Sequence, residues 1–130
     1  MSDKEILENP CIRRSMMPKE NIEKEYNKLI RDKIPEIIES DGYIPIIRVL
    51  NDKEFKEELE KKLYEEYQEV LNAHTKEERI EELADMIEII SYLAQTEGKT
   101  LEDVIEVSKQ KKLKRGGFDK KIFLIKEKEK

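Results

Sequence analysis

Cysteine and histidine are almost missing from this chain. Cys11 and His74 are the single examples among 130 residues. No intramolecular disulfide can form, and no Ser/His/Asp or Cys/His nucleophilic machinery is convincingly assembled. A lone cysteine also suits a reducing compartment. Long apolar runs are absent too: nothing reaches signal-peptide or membrane-spanning length, and the N-terminus is charged. The expectation is a cytoplasmic protein with no membrane partner. Aromatic residues make up 6% of the chain and glycines number four, with one Gly-Gly pair. That scarcity, beside abundant Glu, Lys, Ile and Leu, favours helix over sheet. A basic excess is likewise lacking. Lys plus Arg total 26 against 31 Asp plus Glu, a net charge of −5, which argues against a nucleic-acid partner. Phosphate ligands stay open, since a metal and a few local cations can reach them.

What the chain has in abundance is charge, at 44% of residues. Spacing of carboxylates therefore says little alone: Glu-x-x-Glu recurs at Glu20/Glu23, Glu36/Glu39, Glu54/Glu57, Glu57/Glu60 and Glu78/Glu81, mostly as solvated helix faces. Two pairs differ by their neighbourhood. Leu59, Leu63, Glu66 and Val70 follow one another at four, three and four residues, placing Glu66 where a core side chain belongs. Glu82, Asp85, Ile89 and Leu93 share a face in the same way, within a stretch from Leu83 to Ala94 that is apolar on nearly all sides. Carboxylates withdrawn from water and facing one another repel unless a divalent cation lies between them. The alternative is a set of interfacial salt bridges to the many lysines. The breadth of apolar surface on the second helix further predicts an oligomer.

Along the chain, residues 1–25 lack a clear period and read as an N-terminal extension. Met16 and Met17, just before the patterned part, mark a second candidate translation start. Asp32 is a candidate N-cap for a short helix to Ser40, with Pro35 in its first turn and Asp41-Gly42 as its stop. Tyr43–Leu50, β-branched and containing Pro45, reads as an edge strand. Asp52 is expected to cap a helix over Lys53–Ala73. Thr75 with Glu78 starts another over Lys76–Glu97, and Thr100 with Asp103 a third over Leu101–Lys114. Lys121–Lys126 is expected to pair with the first strand, and 127–130 is a charged tail. His74 falls in the short connection that makes the two long helices antiparallel neighbours and sets Glu66/Glu69 opposite Glu82/Asp85. The fold class expected is mainly α, an antiparallel helical bundle with a small two-stranded β element.

Three motifs in order carry a family resemblance over residues 26–126. These are Tyr26-Asn-Lys-Leu-Ile-Arg-Asp-Lys-Ile-Pro35, then Glu65-Glu66-Tyr-Gln-Glu69 followed after twelve residues by Glu82-Leu-Ala-Asp85, then Lys114-Arg-Gly-Gly-Phe118. In these the chain resembles the all-α nucleoside triphosphate pyrophosphohydrolases of the MazG-like superfamily, which includes the phosphoribosyl-ATP pyrophosphohydrolases. The resemblance implies hydrolysis of a nucleoside triphosphate to monophosphate and pyrophosphate, possible roles being nucleotide-pool cleansing or, alternatively, the phosphoribosyl-ATP step of histidine synthesis. It implies Mg²⁺, with Mn²⁺ as a substitute, held by Glu66, Glu69, Glu82 and Asp85, and a homodimer or homotetramer.

Within that frame Glu65 and Glu69 are the candidate catalytic carboxylates, Glu65 orienting or deprotonating water; a surface charge paired with lysine explains Glu65 equally well. Lys28, Arg31, Lys33, Lys114 and Arg115 are candidate phosphate contacts, the arginines foremost because a guanidinium grips phosphate bidentately. Lysines such as Lys112 in a last helical turn are explained by the helix dipole alone. Tyr26, Tyr64, Tyr67 and Phe118 are candidates for stacking on a base, or plain core. A reading from another class is a non-catalytic helical module for oligomerisation or regulation, which predicts no metal binding.

Overall fold

The computed structural model describes residues 23–130; the expectations for residues 1–22, including Cys11, lie outside them. Four helices make up the described fold: α1 (Ile34–Ser40), α2 (Asp52–Asn72), α3 (Lys76–Thr96) and α4 (Leu101–Arg115). The protein is mainly helical, as its composition predicts.

Side-chain caps set most of the boundaries. Asn51, not Asp52, caps α2, its Oδ1 accepting from the Glu54 backbone N–H at 2.8 Å. Thr75 Oγ1 accepts from the Glu78 N–H at 3.1 Å, while the Glu78 carboxylate reaches one residue further back to the His74 N–H at 2.9 Å. Thr100 and Asp103 form the full reciprocal box at the start of α4. The position before α1 falls to Lys33, which supplies no side-chain bond, so Asp32 is not the cap. Past α3 the chain reverses at Gly98, whose φ of +73° suits a residue without Cβ.

The packing is dominated by α2 against α3, with α4 touching α3 more lightly. Contacts at both ends show the pair to be antiparallel. Lys56 near the start of α2 meets Glu97 just past α3 at 2.8 Å, and Arg79 in the first turns of α3 donates to the Val70 carbonyl at 3.0 Å. Leu59, Val70, Ile89 and Ala94 are the buried apolar side chains of this pair. A smaller cluster gathers Tyr26, Ile30, Ile37 and Ile38 around Ile34, which fastens the segment before α1 to α1 itself.

The expected two-stranded element is not seen: among the described residues there is no strand. Tyr43–Leu50 and Lys121–Lys126 are irregular, with Ile44, Ile46, Val49, Phe123 and Ile125 largely exposed. β-Branched composition records fitness for a pleated, half-buried surface, not an intrinsic backbone preference. Without a packed face and a ladder partner, that fitness has nothing to act on.

Candidate metal centre and the cavity beside it

The apolar stripes carry the carboxylates inward. Glu66 lies between buried Leu59 and Val70 on one face of α2, and Glu82 precedes buried Ile89 by two turns on α3. Glu66 is 1% exposed and Glu82 4%, and Asp85, one turn on, is half-buried. One carboxylate oxygen from each of the three lies within 4.8 Å of the others. Glu69, also half-buried, stands outside this trio.

Such a group is electrostatically unsatisfied. Oε2 of Glu66 and Oε2 of Glu82 are buried and have no hydrogen-bond partner, a state that costs on the order of 1–3 kcal/mol per group. Burial pushes the Glu66 carboxyl up to about 8, helped by a hydrogen bond shared with Glu82 and by the negative charges of Asp85 and Glu82; Lys62 pulls the other way. At neutral pH a proton is therefore held on Glu66, and a cation of higher charge can take its place. The donor set is all oxygen and anionic, with two unused lone-pair oxygens, which fits a hard divalent ion such as Mg²⁺.

Two cations from the preceding segment close on the acidic end. Lys28 Nζ meets Glu65 Oε1 at 2.8 Å, and Arg31 Nη2 meets Asp85 Oδ1 at 2.9 Å. Two cations of the motif beginning at Tyr26 are thus brought to carboxylates of the two long helices. Lys33, Lys114 and Arg115 are exposed and line no part of the cavity at the site. Lys114 and Arg115 sit in the last turn of α4 with Lys112, where the helix dipole accounts for them.

A cavity of about 260 Å³ opens beside the cluster, walled by α2, α3 and residues 29–32. Glu66, Asp85 and Arg31 stand at its rim together with Lys62 and Glu88, two residues not singled out in the sequence. Lys62 is only 8% exposed. Its position three residues after Leu59 and four before Glu66 would have marked it as inward-facing, but the run of charges around it hid the signal. The rings at the cavity are Phe55 and Tyr92; Tyr64, Tyr67 and Phe118 are 65%, 46% and 96% exposed and stand away from it.

No family model matches this chain, and no solved structure matches it. An uncharacterised protein of Mycolicibacterium smegmatis is 43% identical over 54 residues. The match takes in 42% of this chain, which spans 55% of that relative's length. Among the described residues no helix is long and apolar enough to cross a membrane.

Proposed function

We propose that this chain is a Mg²⁺-dependent nucleotide pyrophosphohydrolase that cleaves a nucleoside triphosphate to the monophosphate and pyrophosphate. The observation that carries the reading is the buried trio Glu66, Glu82 and Asp85, with two carboxylate oxygens lacking partners. Glu66, Glu82 and Asp85 would hold the ion, and Glu69, one turn further along α2, would be added to them as the resemblance implies. When bound, Mg²⁺ supplies charge neutralisation on the phosphates and lowers the pKa of a coordinated water. Arg31 and Lys62, both lining the cavity, would grip the phosphate oxygens. Glu65, tethered by Lys28, is the candidate to orient water and accept its proton. Water attacks the α-phosphorus, the bond to the bridging oxygen breaks, and pyrophosphate leaves in line. The three-motif resemblance supports this choice of reaction, and the phosphoribosyl-ATP reaction is the same chemistry on another substrate.

Apolar side chains left on the surface of α3 and α4, such as Ile87, Val107 and Leu113, support assembly as a homodimer or homotetramer.

The test is release of pyrophosphate from ribo-, deoxyribo- and modified nucleoside triphosphates and phosphoribosyl-ATP, with Mg²⁺ or EDTA, beside Glu69→Gln. Metal-dependent release lost in the variant is expected. A folded protein that neither turns over any of these nor binds Mg²⁺ in calorimetry would instead be a helical interaction module. The ion pairs already made by Asp85 and Glu65 favour that second reading.

A further inference from the structure

The cavity beside the acidic trio changes character along its length, and the antiparallel register of α2 and α3 dictates how. On α2 the cavity-lining side chains are Phe55, Leu59, Lys62 and Glu66, at spacings of four, three and four residues. On α3 they are Asp85, Glu88, Ile89 and Tyr92, running the opposite way. Glu66 therefore faces Asp85 at one end, and Phe55 faces Tyr92 at the other. The Phe55 and Tyr92 rings meet edge to face, with centroids 6.4 Å apart and planes at 77°. Two turns of α3, about 10 Å, separate the carboxylate end from the aromatic end. Leu29 and Ile30 close the third wall.

The rings are not sealed into a core. Tyr92 is 38% exposed and Phe55 half-buried, and both line the cavity. Glu88, exposed and one turn from Asp85, lines the space between the two ends. A volume of about 260 Å³ is near the lower bound of small-molecule sites, about 300 Å³. It suits one flat ring system with part of a sugar better than a larger ligand.

We propose that the Phe55–Tyr92 end is the subsite for the aromatic base of the nucleotide, and that Glu88 selects among bases. This rests on the nucleotide reading given above and extends it to specificity. Leu59, Ile89 and the two rings supply an apolar, π-rich wall that any base can pack against. Glu88 adds an acceptor that favours bases presenting N–H groups on the edge turned toward it. The sugar spans the interval to the phosphates at the carboxylate end.

The test uses the full chain. Calorimetry compares Mg²⁺ alone, Mg²⁺–tripolyphosphate, and Mg²⁺ complexes of non-hydrolysable α,β-imido analogues of the four common ribonucleoside triphosphates. At least one analogue is expected to bind about tenfold more tightly than tripolyphosphate, the advantage one stacked base supplies. Tyr92→Leu and Phe55→Leu are expected to erase most of that advantage while leaving affinity for Mg²⁺ and tripolyphosphate unchanged. Glu88→Gln, at an exposed position that folding tolerates, is expected to alter the ranking of the four bases. Nucleosides added in EDTA should shift the methyl resonances of Leu59 and Ile89, a readout that needs no metal. Analogues bound no better than tripolyphosphate, an advantage that survives both ring variants, or nucleoside shifts confined elsewhere would overturn the subsite. Failure of wild-type protein to bind Mg²⁺ would overturn the metal reading by itself, because the nucleoside shifts are recorded without metal.

Discussion

The interface of α2 with α3 and the outer surface built by α4 and the irregular segments follow opposite rules. Inside the first, Glu66 is 1% exposed. On the second, Ile46 and Phe118 are each 96% exposed and Leu113 is 80%. Polarity alone would assign these residues the other way round. The difference shows that two kinds of unfinished business are kept apart in this chain. Carboxylates are held in the first against their solvation preference, and apolar side chains are left in water on the second.

The sharpest way to break this contrast is to remove the charge at its centre. Glu66→Gln is expected to lower pyrophosphate release by about 100-fold or more, on the order of 3 kcal/mol in the barrier, and to abolish the Mg²⁺-induced rise in Tm. Retained metal stabilisation in this variant would mean that the trio does not hold the ion.

Acidity gives the next largest effect. The Glu66 carboxyl titrates near 8 in the folded chain against an ordinary 4.5, so the native state holds a proton that the unfolded chain has released. Its contribution is complete below about pH 4.5 and is lost as pH rises through about 8. In EDTA, stability should therefore fall by about 2–4 kcal/mol between pH 5 and 9. Glu66→Gln should flatten that slope and, in EDTA, be more stable than wild type at pH 7, because folding of wild type must there take up a proton that Gln does not need. Mg²⁺ affinity should move the other way and tighten with pH, because the ion and the proton compete for one carboxylate. Denaturant melts and calorimetry across that range check both signs.

The exposed side of the contrast is sharpened by Ile87→Lys on α3. In a monomer this substitution would change stability by no more than about 0.5 kcal/mol. If a second copy covers the face, light scattering should show subunit affinity weakened by about tenfold or more, about 1.4 kcal/mol. The smallest effect is expected far from both features. Thr100→Ala removes the acceptor for the Asp103 N–H, 3.2 Å away, and should cost about 1 kcal/mol in denaturant melts without altering Mg²⁺ affinity.

Much of this was legible before any coordinates. The apolar spacing around Glu66 and Glu82 marked them as inward-facing, because helix periodicity fixes which residues share a face. Thr75 and Thr100 announced their helices by local chemistry. Asn51 took the capping position expected of Asp52, since neighbouring residues of equal capping ability are separated only by backbone geometry. The strands failed for a different reason: Tyr43–Leu50 and Lys121–Lys126 were judged by composition, and pairing is a property of two segments and a packed face. Lys62, Glu88, Phe55 and Tyr92 escaped notice because a cavity belongs to several elements at once. No single helical stripe announces its walls, whereas the carboxylates stood out by violating theirs.

The Arg79–Val70 hydrogen bond bears on how the molecule comes together in time. It fastens the turn between α2 and α3, and all three clustered carboxylates lie within that one hairpin. Contacts between sequence neighbours close quickly, because little chain entropy is lost in bringing them together. The acidic pocket should then be assembled at an early stage of folding, before residues 26–33 deliver Arg31 to Asp85. If the trio holds an ion as proposed, adding that ion during refolding should accelerate the forward limb of the chevron, not merely slow the reverse.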